Sequence, residues 1–83
     1  MILCLDCGNT AIKIGIFEGN DLKKSLSIIT DRNKSSDEYA LSFSSLIKQN
    51  ITGAIISSVV PLLTDTIFYA IKTGHYDIVN FLI

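Results

Sequence analysis

At 83 residues the chain is one small domain, and a domain this size buries only about 60–65% of the surface its unfolded chain exposes, too little for a two-lobed enzyme with a cleft between its lobes. Hydrophobic residues make up 48% and the mean hydropathy is +0.43, which excludes a disordered chain, while the 18% of charged residues falls below the ~25% of a free-standing domain and suggests part of something larger or half of a tight oligomer. Seven Lys and Arg stand against eight Asp and Glu with no basic stripe, so nucleic acid is a poor partner.

Ile2-Leu3-Cys4-Leu5 is apolar on both faces and predicts a central, buried strand. Asp6-Cys7-Gly8-Asn9-Thr10 is a turn of residues that tolerate unusual backbone angles. From Ala11 to Phe17 the pattern alternates, with Ile12, Ile14 and Ile16 on one face and Lys13 and Gly15 on the other, which predicts a second strand. A turn at Glu18-Gly19-Asn20-Asp21 leads to a third strand over Leu22–Thr30, nearer solvent, with Leu22, Leu26 and Ile28 on one face and Lys24 breaking the alternation. Three strands joined by tight turns make an antiparallel meander.

The polar stretch Asp31–Ser35 reads as a loop, and Ser35-Ser36-Asp37-Glu38 matches a capping box that starts a helix at Ser35 or Ser36. Tyr39, Ala40, Phe43, Leu46 and Ile47 follow at helical spacing, and the helix should stop near Asn50. Ala54 to Val60 predicts a fourth strand ended by Pro61. Leu63, Ile67, Ala70 and Ile71 then share a helical face that closes at Gly74. The order is β-β-β-α-β-α, an α+β fold with helices packed on a twisted, mixed sheet, followed by a tail.

The apolar start is too short, and lacks the basic leader, for a signal peptide, and no run nears the ~18 apolar residues of a membrane span. Two cysteines make no disulfide framework, so a reducing, cytoplasmic compartment is expected. Cys4-x-x-Cys7 lacks further zinc ligands apart from the distant His75, and reads as two ordinary thiols. His75 reads as a hydrogen-bonding residue of a loop or helix end, Tyr39 and Phe43 as core, and Ser57 and Ser58 as non-nucleophilic. Lys23, Lys24, Arg32 and Lys34 read as solvated charges, the last two also placed to line a cleft or a dimer edge.

Asp6-x-Gly8-Asn9-Thr10 is the segment that could carry chemistry. It sets a carboxylate at the end of a buried strand, a glycine that admits close approach to the backbone, and two side-chain donors beside turn amides that can form an anion nest. Asp6 offers a Mg²⁺ ligand, directly or through water, and Lys13 a positive charge near phosphates. The same residues also read as an ordinary hairpin turn with a surface aspartate.

Asp6-x-Gly8-Asn9-Thr10 resembles the first phosphate motif of the type III pantothenate kinases, members of the acetate kinase, sugar kinase, Hsp70 and actin superfamily with its ribonuclease-H-like half-domain. Thr30–Tyr39 is similar to the family's polar loop and Asp-Glu-Tyr helix start, and Ile55–Pro61 to its Ser-Ser-Val-Val-Pro strand end. The resemblance covers residues 1–72, an N-terminal half-domain. It implies transfer of the ATP γ-phosphoryl group to pantothenate, the first committed step toward coenzyme A, in a cytoplasmic homodimer. It also implies a divalent ion, usually Mg²⁺, held with the help of Asp6, and a monovalent ion such as K⁺ or NH₄⁺. ATP phosphates are expected on the segment Asp6, Cys7, Gly8, Asn9, Thr10, Ala11, Ile12 and Lys13.

The family's Gly-x-Asp-Arg motif, with the expected base for the pantothenate hydroxyl, and its second Asp-x-Gly-Thr phosphate motif do not occur in these residues. The chain therefore reads as an N-terminal fragment with no catalytic base, expected to be inactive alone. Residues 73–83 depart from the family and are similar to part of an ankyrin repeat, as a helix carrying Ile78, Val79, Leu82 and Ile83, or else form an edge strand. The alternative function is a non-catalytic interaction module, from a degenerate kinase or a fusion with ankyrin repeats.

Overall fold

Alternation along the strands decides the architecture. The computed structural model describes residues 1–74 and the backbone of 78–82. Strands β1 (Ile2–Cys7), β2 (Ala11–Glu18) and β3 (Asp21–Ile29) precede helix α1 (Ser36–Leu46), strand β4 (Gly53–Ser58), helix α2 (Pro61–Thr73) and strand β5 (Ile78–Leu82). They form a five-stranded sheet in the order β3-β2-β1-β4-β5. The first three strands pair antiparallel, whereas β1, β4 and β5 run parallel, which the crossover helices permit.

Leu3, Leu5 and Cys7 of β1 stand opposite Ile16, Ile14 and Ile12 of β2, and opposite Ala54, Ile56 and Ser58 of β4. All are buried, and Tyr39 and Phe43 from α1 with Leu63, Ile67, Ala70 and Ile71 from α2 close the same core. Each large apolar side chain buried here contributes about 1.5–3 kcal/mol against the chain entropy. Both helices therefore lie on one face of the sheet. This corrects the expectation that β1 is buried on both sides: Ile2 and Cys4 are only half-buried and Asp6 is exposed, because among the described residues no helix covers their face.

Strand β3 shows why Lys24 breaks the alternation. Pairing slips between Ile16, opposite Lys24, and Phe17, opposite Leu22, so Lys23 is an extra, bulged residue. The bulge reverses the side-chain parity. Lys24 shares the helix-side face with Leu26 and Ile28, and Leu22 joins Gly15 and Phe17 on the open face, where a Cβ added to Gly15 would stand 3.2 Å from the Phe17 ring and 3.5 Å from Leu22. Lys24 Nζ donates to the Leu46 carbonyl (3.2 Å), so a β-strand supplies the cation that the last turn of α1 lacks.

Ser35 is the N-cap of α1. Its Oγ accepts from the Glu38 amide (3.2 Å), and Glu38 Oε1 accepts from the Ser35 amide (3.0 Å). The helix stops at Leu46, four residues before Asn50, because Ile47 turns extended and buries its side chain. Strand β4 ends at Ser58 rather than Val60, since Val60 becomes the N-cap of α2 and Pro61 its first residue. Val60 has no capping side chain, so buried Ser58 serves nearby: its Oγ accepts from the Val60 amide (3.2 Å) and lies 3.0 Å from the Thr64 hydroxyl. Gly74 is the C-cap of α2. In the tail, Ile78–Leu82 is strand, paired parallel to β4, and not the helix of the ankyrin-like alternative. Residues 75–77 and 83, which complete the ankyrin-like stretch, lie outside the described residues.

Candidate functional site

Strand β1 continues to Cys7, so Asp6 is the last outward-facing residue of a strand rather than the first of a turn. Directly across from it stand Lys13 on β2 and Ser57 on β4. A carboxylate, an ammonium and a hydroxyl thus share one row of the open face. Asp6 and Lys13 are both exposed, and neither forms an ion pair among the described residues.

The turn beyond Cys7 is tight. The Gly8 amide donates to the Ala11 carbonyl (2.9 Å), and a Cβ on Gly8 would stand 3.2 Å from that same oxygen. A side chain on Gly8 would crowd this oxygen, and a positive φ, among the described glycines, occurs at Gly19 in the β2–β3 turn. With the Gly8 amide engaged, the donors left to the turn are the Asn9 and Thr10 amides and their side chains. Asp6, Gly8, Asn9, Thr10, Ala11 and Lys13 together line a groove of about 300 Å³.

Cys7 and Ile12, from the same expected segment, send their side chains the other way, into the core, where both are fully buried. Burial and, behind it, the Asp6 charge push the Cys7 thiol up to about 11, so it is neutral at pH 7. Cys4 faces the open side, three residues from Cys7 and therefore on the opposite face. This removes Cys4-x-x-Cys7 as a shared site. Among the described residues no group of three or more His, Cys, Asp or Glu could hold a metal alone.

Three segments distant in sequence meet at the end of β1. Thr30 Oγ1 donates to the Gly8 carbonyl (2.8 Å), and the Thr30 amide donates to the Thr10 carbonyl (2.9 Å). Arg32 Nη2 donates to Asn9 Oδ1 (2.8 Å), and the Val59 amide donates to the Cys7 carbonyl (3.1 Å). The loop that carries Thr30 and Arg32 is itself anchored from the core. The Tyr39 hydroxyl donates to the Asp31 carbonyl (2.8 Å) and accepts from the Asp31 amide (2.9 Å), while Asp31 Oδ1 accepts from the Asn33 amide (2.9 Å). Burial raises the Tyr39 pKa above its ordinary value. In the sequence Tyr39 reads only as core, and nothing singles out Thr30. The available signal was a tyrosine at a buried helical position, where its hydroxyl needs a partner.

A larger groove, of about 600 Å³, runs between β3 and α1 along Ile28, Ile29, Asp31, Lys34, Ser42 and Leu46. Its cation is already engaged: Lys34 Nζ donates to Ser42 Oγ (2.8 Å) and lies over the Tyr39 ring. The smaller groove at the β1–β2 turn is the one that joins a carboxylate, a lysine and open turn donors.

The mixed sheet with both helices on one face, and a polar groove at the end of its central strand, is a ribonuclease-H-like half-domain. Its fold is similar to that of the Thermus thermophilus RuvC structure, with a TM-score of 0.65 over 96% of this chain and 60% of that one at 14% identity. The chain belongs to the type III pantothenate kinase family, whose model matches residues 2–80. It is 38% identical to the type III pantothenate kinase of Moorella thermoacetica over 95% of this chain and 34% of that protein. Identity is 42% to the Brevibacillus brevis enzyme of the same name and 44% to that of Acholeplasma laidlawii, each over 81% of this chain. The chain spans about a third of the length of these curated relatives. Among the described residues no helix is long and apolar enough to cross a membrane.

Proposed function

We propose that this chain is the ATP-phosphate-binding part of a pantothenate kinase, which transfers the γ-phosphoryl group of ATP to the hydroxyl of pantothenate. The observation that supports it is the convergence at the end of β1: the turn of Asp6–Thr10, the loop of Thr30 and Arg32, and the strand end at Val59 carry the three motif resemblances and are bonded to one another. In this reading residues 1–72 are the half-domain and 73–83 its divergent continuation.

Phosphoryl transfer needs positioning and charge neutralisation more than covalent chemistry from the protein. The Asn9 and Thr10 donors hold phosphate oxygens at the turn, and the Lys13 ammonium neutralises charge beside them. A Mg²⁺ ion takes oxygen ligands and keeps several waters, so one exposed carboxylate with substrate phosphates suffices. Asp6, the acidic side chain in the groove lining, fits that need and would hold the ion directly or through water. When bound, the ion supplies neutralisation of the phosphate charge. The monovalent ion, K⁺ or NH₄⁺, the homodimer and the cytoplasmic setting come with the family resemblance. The base for the pantothenate hydroxyl is expected from a Gly-x-Asp-Arg motif outside these residues, so turnover by the 83-residue chain alone is not expected.

Calorimetric titration with ATP and Mg²⁺ tests the reading. Asp6→Asn and Lys13→Met should each weaken binding roughly 10- to 100-fold, the usual worth of a hydrogen bond to a charged group. Both residues are exposed, so folding should survive. Binding by Lys13→Met equal to that of the unaltered chain would remove the assignment. A second reading, a non-catalytic interaction module, is favoured by the apolar part of the open face, where Ile2, Cys4, Phe17 and Ile55 are only half-buried and Leu22 is exposed. Failure to bind ATP together with concentration-dependent association would select it.

A further inference from the structure

The orientation of an asparagine amide is ordinarily ambiguous, since its oxygen and nitrogen are nearly alike in shape. At Asn9 the partner removes the ambiguity. Arg32 is donor-only at every nitrogen, so the atom 2.8 Å from its Nη2 must be the Asn9 oxygen. The Asn9 Nδ2 is then the free end of the amide, and no described residue accepts from it. Asn9 also lines the groove with Asp6 and Lys13.

From this geometry we infer that Arg32 is a positioning residue: by holding Asn9 Oδ1 it fixes the Nδ2 hydrogens as donors to an anionic phosphate oxygen in the β1–β2 groove. The inference rests on the phosphate-site reading above and adds a role that composition could not supply, because in sequence Arg32 reads as a solvated charge or as one lining a cleft or a dimer edge. Its loop is held in place independently, by Thr30 on the Gly8 carbonyl and by Tyr39 on Asp31. Removing the guanidinium therefore frees the Asn9 side chain without releasing the loop.

An arginine near phosphates can also act directly through its charge, and a double-mutant cycle separates the two cases. ATP affinity with Mg²⁺ is measured for the unaltered chain, Arg32→Met, Asn9→Ala, the double variant, and Arg32→Lys. Losing the fixed orientation should weaken binding roughly two- to tenfold in Arg32→Met, the range for one side chain left unordered. Asn9→Ala should lose at least as much, and the double variant no more than Asn9→Ala alone. Arg32→Lys keeps a donor-only partner and should restore most of the affinity. Both positions are exposed, and a thermal melt of each variant confirms the fold. Additive losses in the double variant, or full affinity in Arg32→Met, would overturn the positioning role while leaving the phosphate site in place. No binding by the unaltered chain would overturn the phosphate-site reading and this proposal with it.

Discussion

The ammonium of Lys24 closes helix α1 from a neighbouring strand, and its removal has a readable consequence. Lys24→Met keeps the aliphatic stem but loses the bond to the Leu46 carbonyl and the cation at the helix C-terminus. It should destabilise the fold by about 1 kcal/mol in urea unfolding; an unchanged midpoint would show that the contact contributes nothing. Cys7 makes a pH-dependent contribution. Its folded pKa of about 11 lies above the ordinary value of 9.0, so the buried thiol stabilises the fold fully below about pH 9. Above that the unfolded chain ionises first, and the contribution is lost as the pH rises toward 11. Cys7→Ala should flatten this part of a plot of melting temperature against pH, and an identical slope would contradict the burial. Lys24 and Cys7 were also the least legible residues in the sequence. A lysine in an alternating strand reads as noise until the bulge at Lys23 is seen, and Cys7 reads as part of a turn until β1 is seen to run through it.

At the scale of elements, local chemistry was legible where a side chain acts on its own backbone. The capping box of Ser35 and Glu38 is an example, and the structure selects Ser35 over Ser36. Ser35→Ala should therefore cost about 1 kcal/mol while Ser36→Ala changes little; comparable losses in both, measured by thermal unfolding, would contradict the cap. The alternating isoleucines of β2 and the apolar stripe of α2 were equally plain, because periodicity survives in any context. Element ends set by packing were not. The α1 terminus depends on Ile47 leaving the helix to reach the core, and the end of β4 depends on Val60 turning to start α2. In sequence β5 reads as either strand or helix, since a short apolar run fits both periods until it has a neighbour to pair with.

Over the whole molecule, the division between a helix-covered face and an open one places Asp6, Lys13 and Ser57 in one row at the end of the central strands. The sequence motif indicated Asp6–Lys13 as one segment, but strand alternation at its two ends turns Cys7 and Ile12 into the core, while Asp6, Lys13 and the turn Gly8–Ala11 between them line the groove. What a linear reading could not supply was the meeting of that turn with Thr30, Arg32 and Val59, residues brought together by sheet order rather than spacing. The proposed function requires phosphates to bind at this corner and not in the larger groove beside α1. The most direct measurement is the amide and side-chain NMR spectrum of the ¹⁵N-labelled chain as ATP and Mg²⁺ are added. Saturable shifts are expected at Asp6, Gly8, Asn9, Thr10, Ala11 and Lys13, extending to Thr30 and Arg32. Shifts gathered instead along Ile28, Lys34, Ser42 and Leu46, or none at all, would contradict the proposed function.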